Sequence, residues 1–378
     1  MCFGCTACFV ICPAKAITME TDMHGFKVPI VKKQICIDCH ACEEVCPANN
    51  SSVSRSDTLE VYAVKHKSVP TLLNSASGGL FTALSDVVLE NDGVVYGAIQ
   101  DNNLSTIHVR ATSKVERDKQ RDSKYVQSDL KNTFREVIKD LQADRYVMFT
   151  GTPCQIAGLK KLLYLRKINT DRLILVDLIC NGVPSPLLYR DYILFCEKKQ
   201  KKKIVKHMHR TKDNGWKHIE KNVFDDGTED NKTEYSQAWK KIFYSGKALR
   251  ECCYFCPYAN MERVSDITIG DYWGVQNTKV TIPSDNGISL CLVNTKKGMD
   301  YVLRMRNVEI EKSTTSEAIN KQPRLRNVLA NGHGRNELWM EYDKRGADYV
   351  IKKYGECGWF FVFKHKIKKI LIRIGVVK

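Results

Sequence analysis

The sequence predicts an α/β main domain with a largely parallel sheet, preceded by a small α+β module. Two observations lead to this fold class. Residues 1–48 contain the same four-cysteine pattern twice, and from about residue 57 apolar strands alternate with amphipathic helices. At 378 residues the chain is long enough for two or three domains.

The first module is defined by a duplicated cysteine motif, in which each block has the spacing C-x2-C-x2-C-x3-C-P and the second block follows 34 positions after the first. Three such cysteines can surround a cubane cluster, and in two-cluster ferredoxins the fourth ligand comes from the other block. We therefore predict a ferredoxin-like domain at 1–50 with two [4Fe–4S] clusters. The predicted ligands are Cys2, Cys5, Cys8 and Cys46 for one cluster, and Cys36, Cys39, Cys42 and Cys12 for the other. Structural zinc would not explain eight ligands in duplicate.

Within this module, Ala16 to Met19 and Lys27 to Val31 are predicted strands around a turn at Gly25, and the polar residues 49–56 suit a linker. In the main domain a helix is expected after Ser77-Gly78-Gly79, another from about Gln155 to Leu165, and a third near Pro184. Strands are predicted at Gly93–Gly97, Tyr146–Thr150, Leu173–Ile179, Ile267–Ile269 and Ile288–Asn294. Past residue 300 the pattern predicts helices.

Four further cysteines suggest a second kind of metal site. Cys154 and Cys180 each follow a predicted buried strand, so in a parallel sheet both would emerge at the edge where ligands usually bind. Cys253 and Cys256 form a C-x2-C pair before the strand at Ile267. Together the four thiolates suit a third cluster or a zinc ion. Cys252, beside the pair, is interpreted as a bystander.

A flavin is expected on chemical grounds. A [4Fe–4S] cluster passes single electrons, whereas most organic substrates change by two, and a flavin handles both. A complete G-x-G-x-x-G fingerprint is absent from the sequence. Ser77-Gly78-Gly79 at a helix N-terminus and the Gly151-Thr152-Pro153 turn suit phosphates instead. Lys124 to Ser128 adds a cation, a ring and two hydrogen-bonding groups.

Five motifs in this order resemble the beta subunit family of coenzyme F-420 hydrogenases and dehydrogenases, to which 7-hydroxymethyl chlorophyll a reductase is related. They are Ser77-Gly78-Gly79, Lys124-Tyr125-Val126-Gln127-Ser128, Gly151-Thr152-Pro153-Cys154-Gln155, Cys180-Asn181-Gly182-Val183-Pro184-Ser185-Pro186 and Asp266-Ile267-Thr268-Ile269-Gly270-Asp271-Tyr272-Trp273-Gly274. The resemblance implies FAD and a third [4Fe–4S] cluster held by Cys154, Cys180, Cys253 and Cys256. By the same resemblance, the residues placed near the flavin are Ser77, Gly78, Gly79, Lys124, Tyr125, Gln127, Thr152 and Asp271. It assigns no catalytic acid or base.

These features divide the chain into four expected regions. Residues 1–50 are the two-cluster domain, 57–150 carry flavin phosphate loops, 151–330 carry the third cluster and flavin contacts, and 331–378 form a helical basic tail. Within the tail, the stretch from Lys364 to Lys378 is predicted to pack on its own domain, with contact to a membrane surface or a partner as the alternative.

Composition narrows the partners and the compartment. The formal net charge is +16, but each cluster with four thiolates adds about −2, so an acidic partner or cofactor is expected rather than nucleic acid. No apolar run approaches the ~18 residues of a membrane span. Cysteines interrupt the apolar N-terminus, so no secretory signal is predicted, and the sixteen cysteines are expected to be reduced in the cytoplasm.

The leading hypothesis is an iron–sulfur flavoprotein oxidoreductase that connects a ferredoxin-type or other one-electron partner with a small-molecule two-electron substrate. The alternative is an electron-transfer subunit that feeds a partner enzyme and has no substrate of its own. A cluster-containing nucleic-acid regulator is disfavoured because the basic residues are not interleaved with stacking aromatics.

Overall fold

A computed structural model describes residues 1–49, 53–329, 333–359 and 363. The N-terminal module contains a two-stranded antiparallel sheet and two short helices: α1 (Ala7–Ile11), β1 (Ile17–Thr21), β2 (Lys27–Val31) and α2 (Ala41–Glu44). The sequence duplication is visible in the backbone, because Thr6 and His40 stand before α1 and α2 with φ of 64° and 55°. The predicted strand pair around Gly25 is present.

The main domain is built on an eight-stranded sheet in the order β13-β3-β12-β11-β7-β6-β4-β5. Its strands are β3 (Glu60–His66), β4 (Val94–Gln100), β5 (Thr106–Ala111), β6 (Val147–Gly151), β7 (Leu173–Leu178), β11 (Ile267–Asp271), β12 (Ser289–Val293) and β13 (Val308–Ser313). The four central strands β4, β6, β7 and β11 are parallel, and the outer pairings are antiparallel. This confirms the predicted α/β fold.

Helices cover both faces of this sheet. They are α3 (Val69–Leu73), α4 (Leu80–Leu89), α5 (Lys114–Asp118), α6 (Thr133–Gln142), α7 (Pro153–Leu165), α10 (Lys296–Arg304) and α11 (Thr315–Asn320). On one face α4 and α10 pack on the sheet. On the other, α6 and α7 pack on the sheet and carry the N-terminal module against their outer side. Strands β6 and β7 begin with continuous apolar runs, residues 147–149 and 173–176, because both faces are buried there.

A smaller unit is formed by the chain between β7 and β11 together with two of the helices that follow β13. It contains a three-stranded antiparallel sheet and four helices: α8 (Pro186–Gln200), β8 (Ile204–Met208), β9 (Lys221–Phe224), β10 (Glu229–Asp230), α9 (Ala238–Ser245), α12 (His333–Arg345) and α13 (Ala347–Tyr354). The helices share a core of large aromatic and aliphatic side chains centred on Trp239 and Tyr192. Two helices of the expected tail therefore join this unit: α13 packs on α8 and α9, and α12 packs on α13.

The expected domain boundary and the expected basic tail can be compared with the described residues. The boundary expected at residue 150 falls inside β6, and strands from both sides of it pair in one sheet. The basic stretch from Lys364 to Lys378 lies outside the described residues. Within the part of the chain that is described, no helix has the length and apolar character needed to cross a bilayer.

Candidate functional site

The duplicated cysteines form two neighbouring groups in the N-terminal module. Burial raises the pKa of Cys8 to about 12, and repulsion from the Cys2 and Cys46 thiolates adds to it. Cys5 has its pKa raised by burial and by the same neighbours. In the other group, burial raises the pKa of Cys42, with Cys12 among the nearby groups that raise it further. Each three-cysteine loop thus lies beside the fourth cysteine of the other block, as the predicted ligand sets require.

The module is seated closely on the main domain. A Cβ placed on Gly158, in the middle of α7, would lie 2.6 Å from Cys5 Sγ. Only glycine at this position lets the helix approach the cysteine loop so closely. The buried guanidinium of Arg250 donates to the carbonyl oxygens of Cys2 and Lys27 and to Gln127 Oε1. These contacts fix the first cysteine group against the main domain.

The four cysteines of the expected third cluster line one small cavity of about 40 Å³. Cys154 lies in the first turn of α7, Cys180 follows β7, and Cys253 and Cys256 come from the loop before β11. Burial raises the pKa of Cys180 to about 12, and the Cys256 thiolate adds to it. The cavity thus brings together four thiols, the ligand type that both cubane clusters and structural zinc ions take.

A fifth cysteine, Cys252, lines the same small cavity and is buried. Its thiolate raises the pKa of Cys154 and of Cys256 in addition to the larger effect of burial on each. The side chain interpreted as a bystander therefore lies among the predicted ligands, with Cys253 as its immediate neighbour.

A larger cavity of about 290 Å³ opens at the carboxyl ends of β6 and β7. This is the edge of an open parallel sheet where ligands usually bind. It is lined by seven of the eight residues that the sequence placed near a flavin, namely Ser77, Gly79, Lys124, Tyr125, Gln127, Thr152 and Asp271. Gly78 does not line it, because it packs against backbone: a Cβ there would lie 2.3 Å from the carbonyl oxygen of Val64.

The Ser77-Gly78-Gly79 segment brings a helix N-terminus to this cavity. Gly79 stands before α4 with φ of 82°, a left-handed conformation that favours glycine. The first amides of a helix have no partner within it, and Leu80 and Phe81, which begin α4, also line the cavity. The hydroxyl of Ser77 is already engaged, since it donates to the carbonyl oxygen of Ile288. The backbone of this segment is therefore the part available to a phosphate.

Three of the predicted residues have side chains held by protein groups. The Lys124 ammonium donates to carbonyl oxygens of its own loop, and burial lowers its pKa to about 8. The Tyr125 ring stacks on Phe243 at 4.5 Å between centroids. Gln127 donates to the carbonyl oxygen of Phe3, so its amide joins the cavity wall to the first cysteine loop.

Thr152 and Asp271 close the cavity near the sheet. Thr152 stands before α7, and its hydroxyl lies 3.2 Å from Cys154 Sγ. Asp271, at the end of β11, accepts hydrogen bonds from Arg210 at 2.5 Å and from Trp216 Nε1 at 3.0 Å. Its carboxylate thus anchors the smaller sheet to the main one.

Two residues near this site were missed by sequence reasoning. His108 lines the cavity on β5, with Nε2 2.9 Å from the carbonyl oxygen of Thr150 and Nδ1 2.7 Å from Ser128 Oγ. Burial lowers its pKa to about 4, so the ring is neutral at pH 7. Arg210 is buried and pairs with Asp271, while its Nε and Nη2 have no hydrogen-bond partner among the described residues. Neither lies in a motif that marks a cofactor site.

The two cavities share a wall. Thr152, Cys154, Cys180, Asn181, Gly182 and Val183 line both of them. Phe3, from the first cysteine loop, lines the small cavity as well. Tyr258 lies close to both cysteine groups, because Cys154 and Cys5 each raise its pKa in addition to the larger effect of burial. The first cysteine group, the small cavity and the large cavity therefore follow one another in space.

The duplicated motif and this fold define an iron–sulfur protein: a two-cluster ferredoxin-like module joined to an α/β domain. Residues 1–50 match the 4Fe-4S dicluster domain family. Residues 144–318 match the family described as the C terminus of the coenzyme F420 hydrogenase/dehydrogenase beta subunit. This match confirms the resemblance to that family over residues 144–318.

Comparison with solved structures gives a similar chain described as "Xenon derivatization of the F420-reducing [NiFe] hydrogenase complex from Methanosarcina barkeri". It is 18% identical, with 79% of this chain and 91% of that chain covered at a TM-score of 0.45. No curated protein matches the sequence.

Proposed function

We propose that the protein is an iron–sulfur flavoprotein oxidoreductase. In this proposal it connects a one-electron carrier to a two-electron small-molecule substrate through three [4Fe–4S] clusters and FAD. The observation that carries it is the shared wall, since Cys154 and Cys180 line both the small cysteine cavity and the large cavity. A redox centre on either side of these residues would be in direct contact with the wall.

The role of the cysteines follows from their chemistry. When bound, [4Fe–4S] clusters supply one-electron steps. Gly182 N–H lies 3.4 Å from Cys180 Sγ and Gly4 N–H lies 3.2 Å from Cys2 Sγ, so backbone amides already donate to the sulfur atoms. Such hydrogen bonds stabilise thiolates and set the potential of the group that they hold.

The large cavity fits a flavin in its wall chemistry. When bound, FAD supplies the exchange between single electrons and electron pairs. The N-terminus of α4 offers backbone amides to a pyrophosphate. The turn before α7 does not, because the Thr152 N–H donates to Gln155 Oε1 and Pro153 has no N–H. Arg210 does not line the cavity but pairs with Asp271 in its wall, and its buried Nε and Nη2 have no hydrogen-bond partner among the described residues. Apolar and aromatic residues such as Phe81, Tyr125 and Phe243 provide surface for a ring system.

Electrons would enter or leave at the far end of the N-terminal module. Cys39 is exposed, and the adjacent Ile35 and Ile37 are 48% and 64% exposed. Apolar side chains beside a redox site suit docking of a carrier protein. His108, neutral and held by Ser128 and Thr150, is the candidate group for proton exchange with the large cavity.

The test uses anaerobically purified, reconstituted protein and reduced methyl viologen as the one-electron donor. We expect FAD to be bound and its absorbance band to bleach, and Cys180→Ser to slow the bleaching at least about tenfold while FAD stays bound. Buried Cys196, in the helical core of the smaller unit, provides the matched control Cys196→Ser, which should bleach at the normal rate. Reconstituted protein without any flavin would overturn the proposal.

A further inference from the structure

A different set of metal-type side chains lies in the smaller sheet. His207, His209 and Glu220 are buried, and one ligand atom of each lies within 4.8 Å of the others. Glu220 Oε1 is 4.0 Å from His207 Nε2 and 3.9 Å from His209 Nδ1. None of these three atoms has a hydrogen-bond partner in the described part of the chain. Unpartnered buried polar atoms are costly, so their convergence needs a cause.

The hydrogen bonds behind the two rings determine which nitrogen carries the proton. His207 Nδ1 lies 2.7 Å from Asn222 Oδ1, so Nδ1–H donates and Nε2 has a free lone pair. Metal-binding histidines are commonly held by such a bond on the other ring nitrogen.

His209 also has a polar partner behind its ring. Gln100 Nε2 donates to Tyr189 Oη at 2.6 Å and lies 3.3 Å from His209 Nε2. The oxygen and nitrogen of an amide have nearly the same shape, and exchanging them would let the Gln100 oxygen accept from both Tyr189 Oη–H and His209 Nε2–H. In that arrangement, which a metal ion on Nδ1 would select, the Nδ1 lone pair faces Glu220.

Nearby cations do not satisfy the three atoms. Glu220 Oε2 accepts from the backbone N–H of Lys240, whose ammonium donates to the carbonyl oxygen of His218 and to Gln237 Oε1. The Lys124 ammonium is bonded within its own loop. A bound cation can contact all three atoms at once.

We propose that His207, His209 and Glu220 bind one divalent transition-metal ion. Two imidazole nitrogens and one carboxylate oxygen are usual ligands of Zn²⁺, and at least one position remains for water. Zinc ligands at about 2.0–2.1 Å and a tetrahedral angle are separated by about 3.4 Å. The two distances from Glu220 Oε1, 4.0 Å to His207 and 3.9 Å to His209, would therefore shorten by roughly half an ångström on binding.

The ion would act as a structural clamp. His207 lies in β8, His209 follows it, and Glu220 precedes β9, so the ion would join the two strands at one end of their pairing. Arg210, which follows His209 in the chain, pairs with Asp271. The His209 ring packs edge-on against the Tyr125 ring, with 5.7 Å between the ring centroids. The clamp would therefore support the wall of the large cavity.

The experiment measures metals in the full-length reconstituted protein, purified without a metal-affinity tag. Elemental analysis should find about one zinc per chain in addition to iron, and zinc X-ray absorption should show nitrogen and oxygen at about 2.0–2.1 Å with imidazole scattering. Cobalt, nickel, manganese or additional iron in such a shell would equally support the site. Sulfur at about 2.3 Å would place the zinc in cysteine sites and overturn the proposal, as would the absence of any such ion.

Variants give a second readout. Glu220→Gln and His209→Asn should each lower the zinc content at least about fivefold and leave cluster iron unchanged. His66→Asn is the control, because that histidine lies on β3 and its Nδ1 accepts from the Ser68 N–H. Unchanged zinc in Glu220→Gln would contradict the proposal, and if a variant fails to fold the ligand shell of the unmodified protein decides.

Discussion

The contact between the N-terminal module and the main domain depends on one guanidinium. Arg250 donates from Nε to the carbonyl oxygen of Cys2 at 2.7 Å, from Nη1 to Gln127 Oε1 at 2.9 Å, and from Nη2 to the carbonyl oxygen of Lys27 at 2.9 Å. Its side chain is buried and lies over the Phe26 ring. Three nitrogens thus reach three acceptors in different directions.

Arg250→Lys keeps the charge but replaces the planar fork by a single nitrogen, which reaches one of these acceptors well. Two hydrogen bonds to a charged donor are lost, and each contributes about 1.5–3 kcal/mol. The bonds to the Cys2 and Lys27 carbonyl oxygens are only partly buried, so water can replace the lost donor at one of these acceptors and reduce the total cost. We expect a loss of about 2–4 kcal/mol, and a shift of the Cys2 loop that lowers the iron content of the nearer cluster.

The assay is thermal unfolding of the anaerobic reconstituted protein, followed by circular dichroism and by cluster absorbance. The matched control is Arg172→Lys, since Arg172 is 42% exposed at the side chain and makes a surface ion pair with Asp144. Such pairs contribute about 0–1 kcal/mol, so the control should melt close to the unmodified protein. If Arg250→Lys melts like Arg172→Lys with full iron, the reasoning about this interface is wrong.

Three further predictions follow from the sites. Cys180→Ser should remove about four irons per chain and Cys196→Ser none, as iron and sulfide analysis would measure; equal iron in both variants would exclude Cys180 as a cluster ligand. Burial lowers the pKa of His108 to about 4, so protonation of its ring opposes folding, and the free energy of unfolding should fall as the pH decreases from about 6.5 to 4. In unfolding measured over this pH range, His108→Gln should reduce the loss of stability by about 3 kcal/mol. The same pH dependence in the variant would contradict a buried neutral ring. Gly78→Ala should destabilise the protein by at least about 2 kcal/mol because the added Cβ would meet fixed backbone. The control Gly227→Ala has open space around its Cβ, and its left-handed φ of 79° should cost only about 1 kcal/mol. Equal melting temperatures of the two variants would show that the Gly78 loop can move.

The parts that sequence could predict are those with a local physical pattern. Cysteine spacing identified the N-terminal module because cluster geometry requires it. The central strands at Val147–Gly151 and Leu173–Leu178 were found because burial on both faces makes their first three or four residues apolar. From those strands it followed that Cys154 and Cys180 would lie at one sheet edge, and both line the same cavity.

The parts that sequence could not predict depend on contacts between distant segments. Strand β13 was expected to be helical, but the residues of Val308–Ser313 pair at the sheet margin, where one exposed face removes the apolar signal. Lys124 was placed near the flavin by resemblance and lines the large cavity, but the oxygen atoms that its ammonium contacts depend on how its own loop folds back. His207, His209 and Glu220 were missed because the pairing of β8 with β9 brings them together and no short motif marks them.

The central claim is that this protein binds three clusters and a flavin as neighbours in space. The most direct measurement is the amount of iron, acid-labile sulfide and released FAD per chain in anaerobically purified, reconstituted protein. The account predicts about twelve irons, matching sulfide and about one FAD. About eight irons with no flavin would contradict it, and would leave a two-cluster ferredoxin module joined to a domain with a different role.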